Sequence, residues 1–544
     1  MRFLILGAKM KNNIFMYIFI IFVICIVVFA AVYIYKQNNK KVSYEEIKVY
    51  TEETQTIPNI RLAIAGIDTI NPILSKNQNV QDISKLIYEP LFSITQDYKL
   101  EKCLISECSK ANENSYLIKL KRNIKWHDGQ SFTAKDVKFT IDTIKNIGDR
   151  SIYYSNVENI KEVMILDDNI IKIFLNNEQD FFEYDLTFPI ISYLYYSNEE
   201  DFINSGKHAV APGTGMYKIS SVDDTQILLK KNKNWWNIKE KDSKIDTITI
   251  KKFNSAGEVY NEFKLGNIDL ITTNNMNVEE YVGTVGYNKI DYKGRYYEYL
   301  SFNCQNEILS NKEVRQAINY AIDRSLIISE IYNNSYYISD FPLDFGSYLY
   351  NVEKTSSGYN ANKSIELLQN SGWENKYGYW QKNINGRNLK IKLNLAVNSS
   401  NEKRVQAAEI IKEQLAKVGI IINVIKVSNS QYNEYLANKN YDLLMTGVIT
   451  GISPSMNRFF ADWNISNYYN SDAVRIINEI KNITDENKLY EKYKKLINIY
   501  NEDMPYVSLY QSKQLLLCSQ KLKGNITPNF YNIFYNIENW YREY

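Results

Sequence analysis

The sequence predicts mixed α/β domains behind an apolar N-terminal helix, and three observations carry that prediction. Capped segments repeat apolar residues at the helical period, and other segments alternate at the two-residue strand period. The two kinds follow one another along the chain, the pattern of mixed α/β architecture. Finally, 45% of the 544 residues are hydrophobic, enough for packed cores. A single core rarely exceeds ~250–300 residues, so two to four domains are expected.

The first segment of note is Ile14 to Tyr35, 22 residues without a charge. As a helix rising ~1.5 Å per residue it reaches ~33 Å, enough to cross a bilayer core. Apolar residues continue past the small-residue site Val28-Phe29-Ala30, so an uncleaved anchor is favoured over a removed leader. Residues 1–13 are then cytoplasmic, 14–35 the span, and 36–57 a polar tether to an extracytoplasmic body. The six basic residues of positions 1–41 leave 58 basic against 62 acidic in the rest. That balance gives no electrostatic footprint for nucleic acid.

Within the body, "IRLAIAG" (Ile60–Gly66) reads as a strand and "DISKLIYEPLF" (Asp82–Phe92) as a helix with one apolar face. "SYLIKLK" (Ser115–Lys121) and "IIKIFL" (Ile170–Leu175) alternate as strands. In "TAKDVKFTIDTIKNIG" the Thr133/Asp136 spacing predicts a capped start and Gly148 a left-handed stop. "SNKEVRQAINYAIDR" (Ser310–Arg324) predicts a helix with Ser310 and Glu313 as its capping box. The helix "EKRVQAAEIIKEQLAKVG" closes at Gly419, and "IIINVIKV" (Ile420–Val427) follows as a strand.

Sites for chemistry are scarce. The sequence has no GxSxG elbow, HExxH helix, P-loop or EF-hand loop, and no CxxC or Cys/His cluster for zinc. Asp167-Asp168 and Asp223-Asp224 precede strand-like runs and read as turns with solvated charges. Cys103 and Cys108 lie an odd number of residues apart, so a local disulfide would need a bend between them. There are two histidines. His208 stands in a polar stretch, and His127 sits in "WHDGQSF", where Asp128-Gly129 is a turn signal. Adjacent strand residues point to opposite faces, so His127 and Asp128 do not form a dyad. The expectation from these residues is no enzymatic activity, no cofactor and no metal site.

The turn and its surroundings carry a resemblance. "IYEPLF" and "LKRNIKWHDGQSFTAKDVKFTID" resemble the family 5 extracellular solute-binding proteins of ABC importers. Similar blocks follow in the family's order. They are "APGTGMYKI", with Met216 where proline is usual, "KNKNWW", "FKLGNIDL", "YLSFNCQNEILSNKEVRQAINYAIDR", "YDLLMTGV" and "NYYNSDAV".

The resemblance implies a two-lobed, periplasmic-binding-protein-like fold (type II, cluster C) with an extra subdomain, behind the N-terminal transmembrane helix. Lobe I would span 58–300, with the extra subdomain at about 88–200, and lobe II 301–504; 505–544 would return to lobe I. The HDG turn would be scaffold. Two strands would cross between the lobes, and a monomer would close on a peptide or similar solute and deliver it to a membrane permease. The alternative is a peptide or pheromone sensor on the same fold, without transport.

By the same resemblance, Gly66, Ile67 and Asp68, Tyr153 and Tyr154, Gly447, Val448, Ile449, Thr450 and Gly451, and Tyr510 line the cleft. Two departures alter this expectation. "FVIC" places Ile24 before Cys25, where a lipobox has a small residue. "GVITGISPSMNRFF" holds Val448 in place of tryptophan and has no acid before Asp462, where peptide binders carry an amine-clamping aspartate. Blocked and free-amine peptides should then bind alike, unless another acid, such as Asp68, has taken over the clamp.

Overall fold

The computed structural model describes residues 21–33, 56–196, 202, 206, 209–283, 286–343, 346–350, 358–384, 386–481 and 483–544. Residues 21–33 are helical. No helix among the described residues is long and apolar enough to cross a membrane; the rest of the predicted span, and His208, lie outside them.

The body, Thr56–Tyr544, is built on two hydrophobic cores. The first gathers strand Asn59–Ala65 and helix Gln78–Ile87 with the sheet Thr247–Phe253, Gln226–Lys231 and Tyr217–Val222. Asn59–Ala65 pairs in parallel with Thr247–Phe253, so the N-terminal strand closes a sheet whose other members come some 150 or more residues later. Appended to it is the sheet Ile105–Asn112, Ser115–Leu120, Ile170–Leu175 and Ile160–Asp167, covered by helix Ala134–Ile147. That helix begins at the predicted Thr133/Asp136 box and stops at Gly148, φ 56°.

The second core surrounds strands Lys392–Asn398, Ile421–Val427 and Leu443–Ile449, flanked by helices that include Glu402–Lys417, Ser471–Ile480 and Glu486–Asp503. Two long antiparallel strands, Tyr287–Phe302 and Tyr506–Ser519, run through both cores. Their register breaks between Lys293 and Tyr297, where three residues stand opposite Ser512. Before the break, Ile290 and Tyr292 pack on the first core; after it, Tyr297 and Tyr299 belong to the second. The packing of these strands passes from the first core to the second at 294–296 and 512. Gly294 is required there, because a Cβ would lie 2.4 Å from Ser512 Oγ. Ser512 Oγ accepts from Tyr296 N–H at 3.1 Å, and Gln511 Nε2 donates to Gly294 O at 3.0 Å, so the break is bonded rather than frayed.

Three boundaries differ from the sequence reading for local reasons. The helix predicted over 82–92 runs instead over Gln78–Ile87, because Pro90 drives the residue before it out of the helical region. Asn77 caps it, accepting from Asn79 and Val80. The helix expected to start at Ser310 is Lys312–Ala321 with Asn311 as N-cap; Ser310 Oγ is turned back onto Glu307 O. It ends at Ile322 because Asp323 caps a separate helix, Arg324–Tyr332. Finally, Thr56–Ile57, read as tether, forms a strand with Tyr541–Glu543 of the C-terminal return.

One buried carboxylate ties the first lobe's chain ends together. Asp269, fully buried, accepts from Arg61 Nη2 at 2.6 Å, Arg61 Nε at 3.1 Å, Arg61 N–H at 2.8 Å and Arg542 Nε at 3.0 Å. Its own carbonyl accepts from Ser519 N–H at 2.8 Å. First strand, crossing strand and C-terminus thus meet on one residue. Asp269→Ala, which leaves both guanidinium groups without their anion, should cost about 3–5 kcal/mol. Urea denaturation of the body checks this, and a loss under 1 kcal/mol, the ~0–1 typical of a surface pair, would refute it.

Candidate functional site

The HDG turn is held by the second conspicuous sequence block. His127 N–H donates to Gly213 O at 2.9 Å, Gly213 N–H donates to His127 Nδ1 at 3.0 Å, and His127 Nε2 lies 3.0 Å from Gly215 O. The ring is therefore neutral, with its hydrogen on Nε2. Burial agrees, pulling its pKa down to about 4. Both glycines press on the end of helix Gln78–Ile87: a Cβ on Gly213 would lie 1.9 Å from Ile87 O, and one on Gly215 2.8 Å. His127 is thus a bracket between loops, with no nucleophile or carboxylate hydrogen-bonded to it among the described residues.

The bracket positions Tyr88-Glu89-Pro90 at the wall of a cavity of about 820 Å³. Helix Gln78–Ile87 supplies Gln81 and Lys85, the turn Phe182–Thr187 supplies Tyr184 and Asp185, and the C-terminal return supplies Phe530 and Tyr531. Gly451, Ile452 and Ser453 of the second lobe face them, and Arg295 enters from the strand break. The size and the aromatic and ionic lining are those of a small-molecule site. A neighbouring cavity of about 320 Å³ lies between the 448–459 loop and Tyr98, Leu343 and Phe530.

The charges on this wall differ in how fully they are satisfied. Glu89 accepts from Trp235 Nε1 at 3.0 Å and Trp236 Nε1 at 2.8 Å, one indole per oxygen. Burial lifts its pKa to about 7 even though the indoles hold it down. Arg295 Nε donates to Thr450 O at 2.9 Å, and its guanidinium lies 5.6 Å from the Phe530 ring centre. It has no acidic partner among the described residues, and burial lowers its pKa.

The residues named from the resemblance are distributed unevenly. Tyr153 and Gly451 line the larger cavity; the Tyr153 hydroxyl donates to Gln81 Oε1 at 2.6 Å. Val448, Ile449, Thr450 and Gly451 line the smaller one. Tyr154 opens the short helix Tyr154–Val157 and packs on the first core. Gly66, Ile67 and Asp68 lie off the larger cavity. Asp68 is occupied in closing its own loop, accepting from Thr69 N–H and Ser75 Oγ at 2.7 Å and from Lys76 N–H at 2.8 Å. Burial works to raise its pKa, but these bonds together take it below the ordinary value.

Gly447 covers the ion pair of Glu298 and Arg404, where a Cβ would meet Arg404 Nη2 at 2.5 Å. Tyr510 is fully buried and donates to the Tyr332 hydroxyl at 3.1 Å. Glu89, Asp185, Arg295 and Tyr531 went unnamed in the sequence reading. "IYEPLF" and "KNKNWW" stood out as separate blocks, but only folding brings Glu89 onto both tryptophans.

Glu89 gives a signed pH effect. Its folded pKa, about 7, lies above the ordinary 4.5, so the folded state keeps the proton longer than the unfolded state. Its contribution to stability is full below the ordinary value and is lost as pH rises through the folded one. Denaturation midpoints at pH 5 and pH 7.5 should fall with rising pH less steeply in Glu89→Gln than in the parent. Equal slopes would refute the assignment.

Comparison with known proteins agrees with this architecture. The chain is 26% identical over 502 residues to the oligopeptide-binding protein AppA of Bacillus subtilis, covering 87% of this chain and 89% of that protein. It is 23% identical over 499 residues to the dipeptide-binding protein of Escherichia coli, covering 84% and 89%. Among solved structures, HbpA2 from Haemophilus parasuis superposes with a TM-score of 0.71 at 19% identity, covering 88% of this chain and 99% of that one. AppA from Bacillus subtilis in complex with a nonapeptide gives 0.54 at 23%, covering 90% and 100%. The two-lobed fold is common to them. The profile described as "Bacterial extracellular solute-binding proteins, family 5 Middle" matches residues 101–471, and the chain belongs to that family.

Proposed function

We propose that the protein captures a short peptide or a similar zwitterionic solute between its lobes and hands it to an ABC-type permease. The observation that carries this reading is the interlobe cavity of about 820 Å³, whose aromatic wall bears charges of both signs. The relatives named as oligopeptide- and dipeptide-binding proteins support the same ligand class. Mixed walls suit peptides, because aromatic rings take side chains while buried ions take the termini. Arg295 has no acidic partner among the described residues and is the residue for a ligand carboxylate.

Ligand touching both lobes shifts the population toward a closed form, and the permease reads that form. The protein acts as a monomer without catalysis. The uncharged stretch Ile14–Tyr35, helical over 21–33, anchors it in the membrane with the body outside.

Three experiments test the proposal. Mass spectrometry of small molecules retained by the purified body should find peptides; uncharged lipophilic compounds alone would overturn the ligand class. In calorimetry, Arg295→Gln should weaken a retained peptide by about 1.5–3 kcal/mol and its C-terminal amide much less. Separately, N-terminal sequencing of membrane-extracted protein should find residues 14–35 intact. A mature chain starting at a lipidated Cys25, or just after Ala30, would overturn the anchor.

A further inference from the structure

We propose that Asp185 receives a protonated amino group of the bound solute, a cation site on the first lobe in place of the carboxylate missing from the second-lobe loop. The proposal rests on the peptide reading above and assigns the site one of its specificity residues. Asp185 lies in the turn Phe182–Thr187 and borders the large cavity, across which stand Gly451, Ile452 and Ser453. Its backbone is pinned: Asn156 Nδ2 donates to Asp185 O at 3.1 Å. Its carboxylate is only half engaged. Oδ2 accepts from Gln179 Nε2, while Oδ1 accepts from no group and pairs with no Lys, Arg or His among the described residues.

The other acids on the cavity are committed or peripheral. Glu89 spends both oxygens on Trp235 and Trp236. Glu101 and Glu240 are exposed. Asp68, the acid the sequence offered as a substitute, is consumed by its own loop.

The surroundings favour a cation at this point. Burial pushes the Asp185 carboxyl up to about 7, against the Gln179 bond and with the help of the charge on Asp180. Asp180 is itself fastened across the lobes, accepting from Asn457 Nδ2 at 3.1 Å. A carboxylate short of partners in a desolvated wall gains more from an arriving ammonium group than an exposed one does. Asp185 and Arg295, both bordering the one cavity, then provide for the two ends of a zwitterion.

The test uses randomised pentapeptide pools lacking Lys, Arg and His, so that the α-amine is the sole cation. A second pool is the same material N-acetylated, and a third is acetylated with one lysine per peptide. The full-length protein is offered equal mixtures, and the captured peptides are quantified by mass spectrometry. The wild type should enrich a pool bearing an ammonium group about tenfold or more over the acetylated pool, the factor one charge-assisted hydrogen bond carries.

Enrichment of the free-amine pool identifies the α-amine as the group held, and enrichment of the acetylated lysine pool identifies the side chain. Asp185→Asn and Asp185→Ser, each checked for an unchanged melting transition, should bring the enrichment close to one. Equal capture of all pools by the wild type, or enrichment that survives in both variants, overturns the role of Asp185 and leaves the peptide reading standing. Failure to capture any pool overturns both.

Discussion

Two hydrogen-bonded strands, Tyr287–Phe302 and Tyr506–Ser519, carry the link between the lobes, and the rest of the structure is arranged around that constraint. A crossing of this kind must be stiff within each core and able to bend between them. The ladder is regular from Tyr287 to Lys293 and changes register before Tyr297. Irregular register concentrates twist and bending at one place. Gly294 lets the strands approach at that place, and the side chains of Gln511 and Ser512 take up polar groups the ladder would leave unpaired. Arg295, carried by the same break, reaches the cavity and bonds the second-lobe loop through Thr450, whose N–H donates to Arg295 O at 2.8 Å. The register break and the cavity wall therefore share Arg295.

Away from the strands, the lobes also meet through single polar bonds and a small apolar cluster. Lys99 pairs with Glu486 at 2.7 Å on the surface, where such pairs contribute ~0–1 kcal/mol. Tyr348 N–H donates to Asp97 O at 3.1 Å. Ile452 packs among Tyr98, Tyr184 and Phe530. Contacts of this size are within the reach of a ligand's binding energy, which a population shift between lobe arrangements needs. The large buried ionic interactions lie within a lobe instead: Asp269 with Arg61 and Arg542, and Glu298 with Arg404.

The most recognisable sequence blocks serve the scaffold. The HDG turn, the GTG loop and the end of helix Gln78–Ile87 are three segments distant in sequence that meet through His127, Gly213 and Ile87. Histidine suits the position because one neutral ring both donates and accepts. The indoles of Trp235 and Trp236 then complete Glu89, so the cavity wall and its scaffold are one hydrogen-bonded unit.

Local chemistry in the sequence determined the element types, the Thr133 and Gly148 helix ends, the Asp128-Gly129 turn and the mixed α/β class. Period, capping and positive φ are properties of neighbouring residues, and neighbours are what a sequence displays. Tertiary structure alone decided the rest. The strand shared by two cores loses its inside–outside alternation between Lys293 and Tyr297, and nothing in the neighbouring residues marks that irregularity as a lobe boundary. Tyr510 and Asp68 are named by the resemblance, and only the fold shows one in a tyrosine cluster and the other bonded into its own loop. Asp185 and Arg295 are one charge among many in the sequence. Only the packed chain shows a carboxylate and a guanidinium without ionic partners among the described residues in the same wall, because whether a charge is compensated depends on residues brought near it by folding.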